Sequence, residues 1–154
     1  MNQDCKNIVI GVLALQGDFA EHIKMLEQCG VSAKAVRYAE ELDHIDGLII
    51  PGGESTAVAK LTDEGSAPIF SAIKAKIAPG EKIGASSVNA MPVYGTCMGS
   101  IFLAKEIEGS SQGRLAVMDM EVKRNAFGPR RRSLQSYLII DALGPEAFPA
   151  VFIR

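Results

Sequence analysis

Short apolar runs alternate along the chain with segments whose apolar residues recur at helical spacing. Residues 7–15 (NIVIGVLAL) are rich in β-branched side chains, which predicts a buried parallel strand. Asp18 then reads as a helix N-cap, with Glu21 three positions later as in a capping box. Apolar residues continue at helical spacing until Gly30, where we expect the helix to end.

The same alternation continues over the following residues. It predicts strands over residues 33–37, 46–51 and 91–95 and helices over residues 55–61, 68–77 and 101–107. Strands alternating with helices indicate βαβ units and a mostly parallel sheet. Beyond Leu115 the apolar period shortens towards two, which predicts strands near residues 115–123, 136–141 and 150–153. Because no repeat or linker divides the chain, we expect one α/β domain over residues 1–154.

Composition narrows the class of protein without identifying it. A net charge of -2 and a pI near 5.7 give no general attraction to nucleic acid or to an anionic membrane. No apolar run approaches the roughly 20 residues that cross a bilayer, and the N-terminus is not a signal peptide. The three cysteines, Cys5, Cys29 and Cys97, lack metal-ligand spacing. These features predict a cytoplasmic protein that could carry a catalytic thiol.

The segment Gly95-Thr96-Cys97-Met98-Gly99 lies between a predicted strand and a predicted helix. Its G-x-C-x-G pattern is the thiol form of a nucleophile elbow, in which a sharp strand-to-helix turn presents a reactive side chain. The glycines allow neighbouring elements to pass close by, and the amide of Met98 would point to where an oxyanion forms. Cys97 is therefore a candidate nucleophile; an inert, buried cysteine on an ordinary turn is the alternative.

A second candidate loop, residues 51–56 (PGGEST), follows another predicted strand. Its two glycines let the backbone turn amides towards a ligand, as an oxyanion hole requires. An ordinary turn with Ser55 as a helix cap is the alternative, and phosphate binding is disfavoured because neither a P-loop nor a GxGxxG pattern is present. Both loops follow parallel strands, so they should share the carboxyl edge of the sheet, where such folds bind ligands.

Six segments carry a resemblance to a known family. They are GVLALQGDFAEH at 11–22, DGLIIPGGEST at 46–56, YGTCMG at 94–99, LAKEI at 103–107, EVKRNAFG at 121–128 and VFIR at 151–154. In order and wording they resemble the glutaminase subunit of pyridoxal 5'-phosphate synthase, a class I (triad) glutamine amidotransferase. The resemblance implies an α/β three-layer sandwich with a mostly parallel, flavodoxin-like central sheet, and it covers nearly all of the chain outside residues 78–90.

The resemblance also implies roles for single residues. Cys97 would attack the side-chain amide of L-glutamine, form a glutamyl thioester and release ammonia for the synthase subunit. Gly53 and Met98 would donate to the oxyanion, and Gln16 and His22 match positions beside the site and the subunit interface. The residues that match the family's glutamine-binding positions are Gly52, Gly53, Glu54, Ser55, Arg124, Ile153 and Arg154. No metal or cofactor is implied, since pyridoxal phosphate is the product of the complex.

The chain departs from the family at the catalytic base. A triad amidotransferase needs a histidine base and a glutamate that orients it, and the family carries this His-x-Glu pair downstream of VFIR. Neither histidine present matches the base, because His22 lies on the first helix and His44 lies in a polar run. We therefore expect a domain that is incomplete at its C-terminus, with the last part of the fold missing and turnover weak or absent.

Three hypotheses about function follow. The first is a glutaminase that supplies ammonia, and the second is a non-catalytic glutamine-binding or regulatory partner of the synthase subunit. The third, a cysteine hydrolase of another α/β family, explains the elbow but not PGGEST or RNAFG. Two further segments keep two interpretations each. Residues 78–90 fit a surface loop or a lid, and residues 129–132 (PRRR) fit a solvated patch or a contact with the synthase or a phosphorylated substrate.

Overall fold

The computed structural model describes residues 7–53, 68–77, 90–124, 126 and 134–152. Over these residues the chain divides into two compact units, Met1–Val122 and Lys123–Arg154. The first contains β1 (Val9–Leu13), α1 (Phe19–Gln28), β2 (Ser32–Val36), a 3-10 helix (Ala39–His44), β3 (Gly47–Ile50), α2 (Pro68–Ile77), β4 (Val93–Gly95), α3 (Met98–Leu103), β5 (Ala104–Ile107) and β6 (Met118–Val122). The second contains β7 (Leu134–Ile139), a 3-10 helix (Asp141–Leu143) and β8 (Ala147–Phe152). The expectation of one domain over residues 1–154 stays a prediction.

Parallel strands in the order β2-β1-β3-β4 form the central sheet in the described part of the first unit. The predicted α/β class with a parallel central sheet is thus confirmed, and the order matches the start of a flavodoxin-like sheet. The chain passes outward from β1 to β2 on one side and from β3 to β4 on the other. The gap between β1 and β3 is therefore a switch point, where α/β proteins bind ligands.

The main apolar core lies between the sheet and α2. Leu48 and Ile50 of β3 pack in one cluster with Phe70 and Ile73 of α2 and with Phe102 of α3. The rings of Phe70 and Phe102 meet edge to face, with centroids 5.3 Å apart. Burying a side chain of this size stabilises the fold by about 1.5–3 kcal/mol. By contrast, no residue of α1 is buried, so this helix contributes little to the core.

Helix α1 ends as the sequence predicts but begins differently. Gly30 has a φ of +76°, and the amides of Gly30 and Val31 donate to the carbonyls of Glu27 and Leu26, which makes a Schellman motif. At the other end Asp18 is the N-cap residue, but its side chain makes no capping bond. The predicted capping box is therefore wrong. The carbonyl of Asp18 instead accepts from the backbone amide and the ring of His22.

Two elements differ from the sequence prediction. Helix α3 ends at Leu103, and residues 104–107 form β5, which pairs in parallel with β6. The predicted helix over residues 101–107 is therefore wrong at its C-terminal half, because pairing with a distant segment prevails over local apolar spacing. The 3-10 helix at 39–44 was not predicted. Its residue Glu41 accepts hydrogen bonds from the backbone amides of Arg37 and Tyr38, and these bonds lower the pKa of the Glu41 carboxyl.

An ion pair joins this 3-10 helix to α2. Lys76 Nζ lies 2.8 Å from Asp43 Oδ1, and the hydrogen bond from Lys76 lowers the pKa of the Asp43 carboxyl.

In the second unit, β7 and β8 form an antiparallel pair in which Leu138 lies opposite Phe148. Strands were expected near residues 136–141 and 150–153; the observed strands begin two and three residues earlier respectively.

Candidate active site

Cys97 occupies a strained backbone position between β4 and α3. Its φ is 52° and its ψ is −111°, a combination that costs a residue with a side chain on the order of 1–3 kcal/mol. The preceding amide of Thr96 donates to the carbonyl of Ile50 (3.0 Å), and the amide of Gly99 donates to the carbonyl of Thr96 (2.8 Å). This turn is the geometry expected of a nucleophile elbow.

The two glycines of the elbow are required by close backbone contacts. A Cβ atom on Gly95 would lie 2.5 Å from the carbonyl carbon of Gly99, and one on Gly99 would lie 2.0 Å from the carbonyl oxygen of Ile50. Contacts this short do not occur with real side chains, so any other residue would push α3 away from β3 and β4. The sterics that the G-x-C-x-G pattern predicts are therefore present in the structure.

The thiol of Cys97 is accessible. The residue is exposed and is not in a disulfide, whereas Met98 beside it is buried. The burial assumed by the alternative of an inert cysteine is therefore wrong, while the role of Cys97 as nucleophile stays a prediction. Met98 is the first residue of α3. Amides in a first helical turn have no carbonyl acceptor within their own helix, which keeps the predicted oxyanion role of Met98 physically reasonable.

The double-glycine bend after β3 lies against the elbow. A Cβ atom on Gly52 would be 3.2 Å from Cys97 Cβ and 3.8 Å from its Sγ. An oxyanion hole beside the sulfur requires such proximity, and the predicted donation by the Gly53 amide stays a prediction. Glu54 and Ser55, which continue the bend, lie outside the described residues, so their predicted contacts with glutamine stay predictions, as does the helix over 55–61.

The loop after β1 completes the described part of the site. A Cβ atom on Gly17 would lie 1.8 Å from the carbonyl oxygen of Gly52, and one on Gly53 would lie 3.2 Å from Gln16 Nε2. Gln16 thus lies against the bend, and its predicted place beside the subunit interface stays a prediction. The ends of β1, β3 and β4 meet at one edge of the sheet, as the parallel topology requires.

His22 connects α1 to the elbow. Its Nε2 lies 3.0 Å from Thr96 Oγ1 and its Nδ1 lies 3.1 Å from the carbonyl oxygen of Asp18. His22 thus lies beside the elbow, and its predicted place at the subunit interface stays a prediction. His44 is exposed on the first 3-10 helix, and it lines a small cleft with Lys34 and Glu41.

The described structure does not test the remaining predicted site residues. Arg124 is exposed in a turn of the second unit. Ile153 and Arg154 lie outside the described residues, as do residues 129–132 and most of the 78–90 stretch. Their predicted roles stay predictions.

Sequence reasoning missed two residues of this region. Gly17 was included only in the segment 11–22 that carries the family resemblance, although its place at the carboxyl edge of the sheet could have marked it as a site residue. Thr96 was seen only as part of the elbow motif. Its contact with His22 spans 74 positions, and no local pattern reveals a pairing at that distance.

The described residues offer neither a cluster of metal ligands nor a membrane-spanning helix. These residues contain no group of three or more histidine, cysteine, aspartate or glutamate side chains that could hold a metal ion. Within the same part of the chain, no helix combines the length and the apolar character needed to cross a membrane.

Known proteins match this chain over nearly its whole length. The model of the SNO glutamine amidotransferase family matches residues 12–154. Pyridoxal 5'-phosphate synthase subunit PdxT of Desulforamulus reducens is 48% identical over 147 residues, which are 96% of this chain and 72% of that protein. The protein of the same name from Pelotomaculum thermopropionicum is 48% identical over 145 residues, or 94% of this chain and 68% of the relative.

A solved structure agrees with the sequence relatives. The crystal structure of a glutamine amidotransferase superposes with a TM-score of 0.76 at 41% identity, over 94% of this chain and 70% of that one. The family match includes the loop after β1, the double-glycine bend and the elbow. The chain therefore belongs to the SNO glutamine amidotransferase family, and its resemblance to the glutaminase subunit of pyridoxal 5'-phosphate synthase is confirmed.

Proposed function

We propose that this protein hydrolyses L-glutamine to L-glutamate and ammonia at Cys97 and supplies the ammonia to a synthase subunit that makes pyridoxal 5'-phosphate. One observation carries the proposal: an exposed sulfur on a strained elbow lies against a double-glycine bend. An elbow presents a nucleophile, and a glycine bend beside it can present amides to an oxyanion. Family membership supplies glutamine as the substrate class.

The chemistry follows from this arrangement. Cys97 Sγ attacks the side-chain carbonyl carbon of glutamine, and the negative charge that develops on the oxygen is stabilised by the amides of Gly53 and Met98. Collapse of this intermediate breaks the carbon–nitrogen bond, the nitrogen takes a proton and leaves as ammonia, and a glutamyl thioester remains. Water then hydrolyses the thioester to glutamate and restores the thiol. Recognition of the glutamine is assigned to Gly52, Glu54, Ser55, Arg124, Ile153 and Arg154.

A second part of the proposal concerns the rate of glutamine turnover. Transfer of the thiol proton and its delivery to the leaving ammonia require a general base. Both ring nitrogens of His22 already lie within hydrogen-bonding distance of other groups, Asp18 and Thr96, and His44 is exposed on the 3-10 helix. We therefore expect the 154-residue chain to acylate Cys97 and to turn over slowly. The same observation favours the second candidate, a non-catalytic glutamine-binding or regulatory partner of the synthase.

The two candidates differ in whether a covalent intermediate forms. The 154-residue chain, with and without a synthase subunit, is incubated with isotopically labelled L-glutamine and quenched in acid. A glutaminase gives a thioester on Cys97 that hydroxylamine releases and that Cys97→Ala abolishes. Binding of glutamine without any thioester would support the non-catalytic partner. Fast release of glutamate that requires Cys97 would contradict the proposal of slow turnover.

Location in the cytosol stays a prediction, which fractionation of the native host tests.

A further inference from the structure

We infer that His22 is a positioning residue for the nucleophile: its imidazole ties α1 to Thr96 and so holds the elbow in the conformation that presents Cys97. The inference rests on the proposed function, since it assigns a role within that same site. It also explains why the ring of a partly buried histidine faces Thr96 of the elbow.

The direction of the two hydrogen bonds follows from their partners. A backbone carbonyl only accepts, so the ring nitrogen that faces the Asp18 carbonyl, Nδ1, carries a hydrogen. In the neutral ring Nε2 is then an acceptor, and the hydroxyl of Thr96 donates to it. The first bond fixes the ring at the start of its own helix. The second bond holds the side chain of Thr96, and with it the elbow, against the ring.

Thr96 is therefore held at two points. Its backbone amide donates to the carbonyl of Ile50 in β3, and its side chain contacts His22 in α1. The next residue, Cys97, has the positive φ of 52°. Strained conformations persist only where the surroundings over-determine them. A threonine fixed at both its backbone and its side chain supplies such a constraint immediately before the strained residue.

The same contact couples the elbow to the loop after β1. Only four residues separate Gly17 from His22, and Gly17 packs on the carbonyl of Gly52. The loop after β1, the bend after β3 and the elbow after β4 are thus linked by a closed series of contacts. Loss of the His22–Thr96 bond would remove the contact between α1 and the residue that precedes Cys97. Such a loss should affect the alignment of the sulfur more than the overall fold.

The test uses two pairs of variants. His22→Asn keeps a donor for the Asp18 carbonyl but is too short to reach Thr96, whereas His22→Gln places an acceptor near the position of Nε2. Thr96→Val removes the hydroxyl at constant shape, whereas Thr96→Ser keeps it. Asp46→Ala is the stability control, because Asp46 Oδ2 accepts from the Val9 amide at the opposite, amino edge of the sheet.

The measured quantity is the rate of Cys97 labelling by a diazoketone analogue of glutamine and, separately, by iodoacetamide, together with the melting temperature. We expect His22→Asn and Thr96→Val each to slow diazoketone labelling by roughly 10- to 100-fold, since small misplacements of a reacting group have effects of this size. The double variant should be no slower than the slower single variant. His22→Gln, Thr96→Ser and Asp46→Ala should label at close to the parental rate.

Labelling of His22→Asn and Thr96→Val at the parental rate would overturn the inference, as would independent, multiplying losses in the double variant. Equal slowing in Asp46→Ala at a similar melting temperature would also overturn it, because the effect would then follow stability. Failure of the proposed function looks different. The parent chain would react with iodoacetamide but not with the diazoketone, and the iodoacetamide rates of the same variants would still decide whether His22 positions the thiol.

Discussion

Gly52 and Cys97 lie so close that a Cβ atom on the glycine would be 3.2 Å from the cysteine Cβ and 3.8 Å from its Sγ. The register of the sheet produces this proximity. Ile50 of β3 pairs with Gly95 of β4, so the glycine and the cysteine are each two residues beyond a paired position. The distance between the bend and the nucleophile is thus set by strand pairing in the centre of the sheet.

Gly52→Ala should impair the site far more than the fold. The added methyl group would enter the space beside the sulfur, where its contact with Cys97 Cβ is tighter than usual but can be relieved by a small shift. We expect a stability loss of about 1 kcal/mol, at the low end for overpacking, and roughly 100-fold slower thioester formation, as for a misplaced reacting group. Urea unfolding and single-turnover labelling measure the two effects; a large stability loss with normal labelling would contradict this account.

Gly17→Ala and Gly30→Ala form a matched pair. Both glycines have nearly the same positive φ, 79° and 76°, so an alanine at either position costs about 1–2 kcal/mol in backbone strain. At Gly30 nothing lies within 4 Å of the added Cβ, but at Gly17 that atom would lie 1.8 Å from the Gly52 carbonyl oxygen. Gly17→Ala should therefore be less stable than Gly30→Ala by a further 1–3 kcal/mol or so.

The same pair separates stability from activity. Gly30→Ala should label at Cys97 at the parental rate, since Gly30 ends α1 away from the described site. Gly17→Ala should label slowly, because relief of the clash displaces the bend. Equal free energies of unfolding for the two variants would show that the loop after β1 does not pack on Gly52 as described.

Much of this site could be predicted from the sequence because its causes are local. The G-x-C-x-G pattern encodes its own steric requirement, and Gly95 and Gly99 meet neighbouring backbone as that pattern demands. Apolar runs revealed the parallel strands, and parallel strands end at one edge. These two facts were enough to predict that the double-glycine bend and the elbow share that edge, whereas the strand order β2-β1-β3-β4 was not predicted.

The parts that sequence reasoning missed depend on distant contacts. Residues 104–107 have helical spacing but pair with residues 118–122. Aspartate is a common helix-capping residue, but at Asp18 only the backbone carbonyl accepts, from His22. The ring of His22 also contacts Thr96 in the elbow. Local composition does not encode these partners, because they are brought together only when the sheet forms.

The strain at Cys97 predicts an unusual order of stabilities. At its φ of 52° and ψ of −111° glycine is relaxed, whereas alanine retains a strain of roughly 1–3 kcal/mol. Glycine costs about 0.5–1 kcal/mol more backbone entropy than alanine. Cys97→Gly should therefore be more stable than Cys97→Ala by about 1 kcal/mol, although both lack the nucleophile. At helical Ser100 the order should reverse, with Ser100→Ala the more stable; the same order at both positions would contradict strain at the elbow.

The acid dependence of stability should report the carboxylate of Glu41. Backbone amides of Arg37 and Tyr38 donate to it and lower its pKa below the ordinary value of 4.5. A lowered native pKa means that the stabilisation is complete above the unfolded-state value and is lost as the pH falls through the native value.

Between roughly pH 5 and pH 3 the parent should lose more free energy of unfolding than Glu41→Gln, which has no charge to lose. Glu40→Gln makes the same change of charge one position earlier and leaves both amide bonds in place, so its urea-unfolding curves should keep the pH dependence that those two bonds produce. The contribution from Asp43, whose pKa is also lowered, is common to all three proteins and cancels in the comparison. Identical slopes for the parent and Glu41→Gln would mean that the amide bonds do not favour the charged carboxylate.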